Sequence, residues 1–191
     1  SLFFSLGWGL ICAVGITKLK DGWMKGGYTT ILMMSWAMPL AVVALIWKWI
    51  LTADIGFLNL LLTDLGLLSG SYPWLADTDI ALPIVTLVDG WARMPFAMIV
   101  LLAGLQSIPN HMYDAAKVDG ATALQRFRSV TLPYLRPYIA ISALINWMFA
   151  FRAFAVIYPM TQGGPGVSTT TLSVYIYRQG MVSFNYGYAS A

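Results

Sequence analysis

The chain has 191 residues, 59% of them hydrophobic and 10% charged, with a formal net charge of +3, one Cys and one His. Soluble domains carry about 25% charged residues, so this much apolar surface does not fit inside one small water-soluble globule, and the solvent it calls for is lipid. One Cys and one His exclude a disulfide framework and a Cys/His metal cluster, and no basic stripe with interleaved aromatics offers a face to nucleic acid.

A helix needs roughly 20 apolar residues to cross the hydrocarbon core, and several runs approach that length. Residues 1–17 give most of one spanning helix, with Cys12 as a small buried hydrophobe. The run begins apolar, without a Met or a basic flank, so it does not read as a signal peptide; the chain is expected to start inside a membrane helix of a longer protein. Residues 18–27 carry Lys18, Lys20 and Lys25. The second span is expected over 28–51, kinked at Pro39, with Lys48 able to snorkel to the surface beside Trp47 and Trp49. Residues 52–79 hold Asp54, Asp64, Asp77 and Asp79 but no Lys or Arg; within them Phe57 to Leu68 is apolar, too short to span, and predicted to lie in the membrane interface.

The third span covers 80–106. Asp89 and Arg93 are four apart and can pair on one helix face; since a charge facing lipid is costly, this favours a structural ion pair near the outer half. Residues 107–136 form a polar loop with a solvated His111 and with Lys117, Arg126, Arg128 and Arg136. The fourth span covers 137–158, with Arg152 about a turn from its outer end. Residues 159–186 are turn-rich, with Gly163-Gly164-Pro165-Gly166, and a further helix is expected to open near 187. Lys and Arg mark cytoplasmic loops, which places 18–27 and 107–136 inside and 52–79 and 159–186 outside. The whole of 1–191 reads as a single transmembrane domain.

The polar loop is the most specific stretch. Asn110 is expected to cap a helix with Asp114 in its first turn, and Gly120 to end it in a left-handed conformation. Thr122 and Gln125 have capping-box spacing for a second helix, expected to end before Pro133. Ile108, Met112, Ala115, Leu124 and Phe127 give the pair a modest apolar face.

Asp114-Ala115-Ala116, Gly120, Val130 and Leu132-Pro133 fall without a gap in the register of the EAA loop. The stretch thus resembles that loop in permease subunits of binding-protein-dependent ABC importers, with Asp in place of Glu at 114 and Val in place of Ile at 130. Leu105-Gln106-Ser107-Ile108-Pro109, Trp91-Ala92-Arg93-Met94-Pro95-Phe96 and Thr161-Gln162-Gly163-Gly164-Pro165-Gly166 resemble the carbohydrate branch, of the maltose and glycerol-phosphate permease type.

The resemblance implies an all-α membrane protein, the helical bundle of a type I ABC importer permease (MetI-like), truncated at both ends. It implies half of the translocation pathway for a sugar or related polyol in a bacterial or archaeal cytoplasmic membrane. The partners implied are a second permease subunit, two copies of a cytoplasmic ABC ATPase that hold ATP and Mg, and an extracytoplasmic solute-binding protein. The chain itself is expected to bind no cofactor and no metal and to catalyse nothing; it has no Gly-Lys dipeptide and so no P-loop. Asp114, Ala115, Ala116, Asp119, Gly120, Leu124, Phe127 and Pro133 are the residues carried over to ATPase coupling: Asp114 pairs with a basic residue of the ATPase, and Phe127 and Leu124 are the candidates for the knob that enters its cleft. Ala92, Phe96, Asn146, Phe149, Ala150 and Ala153 are the solute-path candidates. Alternatives are an importer for a non-carbohydrate solute, or an ATP-independent carrier or channel, which would show inverted repeats around a midplane site. A membrane enzyme would need paired carboxylates, a His cluster or an activated Ser in a cavity.

Overall fold

The computed structural model describes residues 1–19 and 22–191; Lys20, read as part of the basic segment, lies outside the described residues. Every regular element among them is helical: α1 Leu2–Thr17, α2 Trp23–Ala37, α3 Leu40–Ile50, α4 Phe57–Asp64, α5 Ala81–Gln106, α6 Asn110–Val118, α7 Ala123–Arg126, α8 Leu132–Phe151, α9 Phe154–Thr161, α10 Leu172–Tyr177 and α11 Tyr186–Ala189. Two π-type segments, Phe127–Thr131 and Arg178–Val182, follow α7 and α10. Among the described residues α5 alone is long and apolar enough to cross a bilayer unaided; two more spans result if α2 with α3, and α7–α8 with α9, each count as one.

The second apolar run begins earlier than expected, at Trp23, and is broken rather than kinked: α2 stops at Ala37 and α3 starts after Pro39. A proline has no N–H to give and restricts the residue before it to extended backbone; Pro39 stands with ψ 130° as the N-terminal boundary of a new helix, its carbonyl accepting from Val42 and Val43. The fourth run is interrupted too, between α8 and α9, where the bonds tighten: Arg152 N donates to Phe149 O and Ala153 N to Ala150 O.

The chain divides into two compact units: residues 38–92 and 149–191 with Ser1, and residues 2–37 and 93–148. In the second, Ala13 and Ile16 of α1 pack with Met94, Met98 and Leu101 of α5, backed by Leu32, Tyr138 and Ile139. In lipid, apolar burial alone does not hold helices together, so close packing of small residues must. Gly9 supplies it: a Cβ there would lie 2.9 Å from both Ala97 Cβ and Met98 N, so the two backbones nearly touch. Gly104 makes room for α8 side chains: a Cβ there would meet the Tyr138 ring at 2.7 Å.

The first unit packs α3 on α9 around Val43, Ala44, Val85, Val88, Val156, Ile157 and Met160. The segment after α3 is tied down by one side chain. Asn59 is 4% exposed. Its Nδ2 donates to Ala53 O (2.7 Å) and Tyr72 O (2.9 Å), and its Oδ1 accepts from Trp74 Nε1 (2.8 Å) and Tyr72 N (3.3 Å). Helix α4 is shorter than the predicted Phe57–Leu68. Gly66, at φ +69°, closes it with a Schellman turn in which Leu67 N donates to Leu62 O and Gly66 N to Thr63 O. Further on, Tyr72 donates to Asp77, whose other oxygen accepts from Asp79 N and Ile80 N. The turn after α9 is cross-braced in the same manner: Thr161 and Thr169 share a 2.7 Å bond, and Thr169 and Thr170 donate to the Gly164 and Gly163 carbonyls.

Candidate coupling elbow and solute path

The polar loop folds into two helices joined by a tight turn. Its first helix opens one residue earlier than expected. Pro109, at φ −65° and ψ 135°, is the boundary residue, and its carbonyl accepts from Met112 N. Asn110 is therefore the first helical residue and not the cap, and Asp114 falls beyond the first turn. A proline preset to extended backbone sets the boundary with no need of a side-chain cap.

Asp114 is exposed and lies 2.8 Å from Lys117 Nζ, one turn on. The Lys117 hydrogen bond, and then its charge, hold the Asp114 carboxyl below the usual carboxylate range. Ala115 and Asp119 are exposed as well, and Ala116 is half-buried.

Gly120 has φ +74°, the left-handed conformation expected of it. Ala121 N donates to Ala116 O and Gly120 N to Lys117 O, a complete Schellman turn. Two residues later the capping box is complete: Gln125 N donates to Thr122 Oγ1 and Thr122 N to Gln125 Oε1. Arg126 Nη1 reaches back to Ala121 O at 2.6 Å. Each bond joins residues at most five apart, so this elbow is specified by its own short sequence.

The second helix does not end before Pro133. It passes through the π-type turn Phe127–Thr131, where Leu132 N donates to Phe127 O five residues back, and continues as α8 with Pro133 and Pro137 inside it. Widening the helix for one turn accommodates a residue that has no N–H to donate. Tyr113 Oη and Thr131 Oγ1, 3.0 Å apart, brace α6 against that turn.

The apolar face differs from the expected one. Ile108 is buried, and Phe127 is half-buried and lines a recess of its own unit. Leu124, 60% exposed, and Val118, 88% exposed, are the apolar side chains the elbow presents outward. Sequence reasoning passed over Val118, although a valine between Lys117 and Asp119 at the end of a short helix has few places to be buried.

The solute-path candidates are spread over both units. In the first, Ala92 and Ala153 are buried, Ala150 is half-buried and Phe149 is 40% exposed. In the second, Phe96 is half-buried with its ring centroid 6.5 Å from that of Trp36. Asn146 is 1% exposed; its Nδ2 donates to Ser142 O at 2.9 Å, and Ser5 Oγ stands 3.5 Å from its Oδ1. The amide thus spends its polar atoms on its own unit. Asp89 and Arg93 are both buried in α5.

The family described as binding-protein-dependent transport system inner membrane component matches residues 5–191. The chain belongs to that family. Fellow members include a probable ABC transporter permease of Brucella suis, 38% identical over 93% of this chain and 62% of its own length. The sulfoquinovosyl glycerol transport system permease SmoG of Agrobacterium fabrum is 38% identical over 84% of this chain and 51% of its own length. The trehalose/maltose transport system permease MalF of Thermococcus litoralis is 35% identical over 85% of this chain and 52% of its own length. In a bacterial alginate ABC transporter, solved with its alginate pentasaccharide-bound periplasmic protein, one chain matches all of this inner membrane component with a TM-score of 0.86 at 27% identity, over 66% of that chain. The helical permease fold implied by the EAA register is thereby shown. The chain spans between about half and two thirds of the length of these relatives.

Proposed function

We propose that the chain is part of a permease subunit of an ATP-driven importer for a sugar or related polyol, forming half of the translocation pathway and hydrolysing nothing itself. A second permease subunit, two cytoplasmic ABC ATPases holding ATP and Mg, and an extracytoplasmic solute-binding protein complete the machine in the cytoplasmic membrane. The observation that carries this reading is the elbow, rigid in its own backbone yet outward in its side chains. Such a part transmits force when a partner grips it. Asp114 meets a basic residue of the ATPase, which must displace Lys117 to do so. Leu124, joined by Val118, fills the ATPase cleft; Phe127 supports the elbow from behind. Ala115, Ala116, Asp119 and Gly120 keep the turn tight, and Pro133 keeps the elbow in line with α8. For the solute, Phe149 and Phe96 offer aromatic surface suited to the C–H faces of a sugar. Ala92, Ala150 and Ala153 are the small residues of the proposed path, and Asn146 acts by fixing the α8 backbone.

Reconstitution of the full-length permease pair into proteoliposomes, with and without the ATPase and the solute-binding protein, tests this. Uptake of a labelled sugar or polyol is expected only with all components and ATP. Uptake by the permeases alone, or binding-protein-dependent uptake of amino acids and not of polyols, would overturn it.

A further inference from the structure

Behind the elbow is a recess that neither the coupling face nor the solute path uses. Its volume is about 300 Å³, and it is lined by Thr17 and Lys18 at the end of α1, by Tyr113 of α6, and by Arg126, Phe127 and Thr131 of the long helix. All of these belong to one compact unit. Two are cations, and none of the described lining residues carries a carboxylate.

Several hydrogen-bond donors line this one recess. Arg126 uses one Nη1–H on Ala121 O, which fixes the guanidinium plane and leaves further N–H groups of the same rigid fork. Tyr113 and Thr131 share one hydrogen bond between two hydroxyls; one proton serves that bond and the other remains to be given. Lys18 adds a second cation to the lining. Thr17 gives its own proton to Val14 O at 2.8 Å and so offers only lone pairs. A concave site with two cations and a spare hydroxyl proton is complementary to a tetrahedral oxyanion, which accepts from an Arg fork and a Lys point charge at once. Phe127 provides an apolar wall for whatever the anion is esterified to.

We infer that this recess binds a phosphate group, either the phosphodiester of an acidic phospholipid or a soluble phosphomonoester. Basic pockets at the cytoplasmic ends of membrane helices suit such head groups. Bound there, the phosphate ties the end of α1 to the elbow and couples the grip of the ATPase to the surrounding lipid or to phosphorylated metabolites. The inference rests on the proposed topology only in setting the recess at the cytoplasmic membrane surface.

The test is binding to the assembled transporter, read independently of uptake. Retention of phosphatidylglycerol is measured by native mass spectrometry, and binding of glycerol 3-phosphate by ³¹P NMR in phosphatidylcholine nanodiscs. Lys18→Gln and Arg126→Gln are each expected to weaken binding about fivefold. Arg126→Lys, which keeps the charge, should lose less, and Lys48→Gln in the other unit should change nothing. Retention of phosphatidylglycerol with this dependence identifies a lipid site; the same dependence for glycerol 3-phosphate alone identifies a soluble ligand. Equal binding of both probes by wild type, Lys18→Gln and Arg126→Gln overturns the inference. A transporter that fails to import but shows the dependence leaves the site standing and removes only the solute assignment.

Discussion

The elbow at 107–131 and the segment 52–80 are both polar connections, yet they are held in opposite ways. The turn of the elbow, 116–126, is fixed by main-chain bonds and a capping box between near neighbours, and Asp114, Val118 and Leu124 face outward. Segment 52–80 is fixed by a buried amide whose partners lie up to 15 residues away, with Tyr72, Trp74 and Asp77 turned inward to help. The first arrangement leaves a surface for a partner. The second uses its side chains to hold itself.

The largest effect should come from Asn59→Leu. It strands two donors and two carbonyls in a buried place, which costs about 3 kcal/mol or more. The expected result is a lower melting temperature of the purified complex with new protease cleavage between 52 and 80; an unchanged melt would erase the contrast between the two loops. Next is Gly120→Val. An L-residue at φ +74° costs roughly 1–2 kcal/mol, more when β-branched. Since nothing lies within 4 Å of the Cβ it would add, the damage is to the turn alone: ATP-driven uptake should fall at least about tenfold while the melt of the complex barely moves. Retained uptake would show that the turn does not couple.

Smaller still is Tyr113→Phe, which removes the brace to Thr131 at about 1 kcal/mol. The ATPase should stay bound and hydrolyse ATP, with fewer solute molecules moved per ATP. Thr131→Val should match it, and the double variant should add little to either. Full additivity would mean that the two hydroxyls act separately.

Acid gives the mildest test. The bond from Tyr72, followed by the Asp79 N–H, holds the Asp77 carboxyl below its ordinary range, as Lys117 does for Asp114. A depressed carboxyl stabilises the folded form at neutral pH and loses that contribution only as the pH falls through the folded value. Protease resistance of 52–80 and retention of the ATPase should therefore be flat from about pH 8 to 5 and fall only below about pH 4. A midpoint near pH 6 in either would point to a different group.

The elbow was legible because its signals are local. A glycine after Asp119 and a Thr-x-x-Gln spacing need no distant partner to act, and the structure bears out both the left-handed Gly120 and the capping box. What depended on tertiary contacts was not legible. Asn59 carries no mark in the sequence, because Tyr72 and Trp74 become its neighbours only on folding. A proline's effect also depends on its surroundings: Pro39, expected to kink a helix, separates two, and Pro133, expected at a boundary, lies where a widened turn carries the helix through. Phe127, with Leu124 a knob candidate from the family register, is half-buried in a recess lined also by α1 and α6, and Val118 stays outside.

The widened turn at Phe127–Thr131 has one more effect, on angular phase. A π-type turn is an α-helix with a residue to spare, and each residue of an α-helix advances by about 100°. Leu124 therefore points about a quarter-turn away from the azimuth that an uninterrupted helix would give it relative to Tyr138. Trimming one residue from that turn would keep the rod and swing its tip, so the direction in which the tip faces is set by a single surplus amino acid.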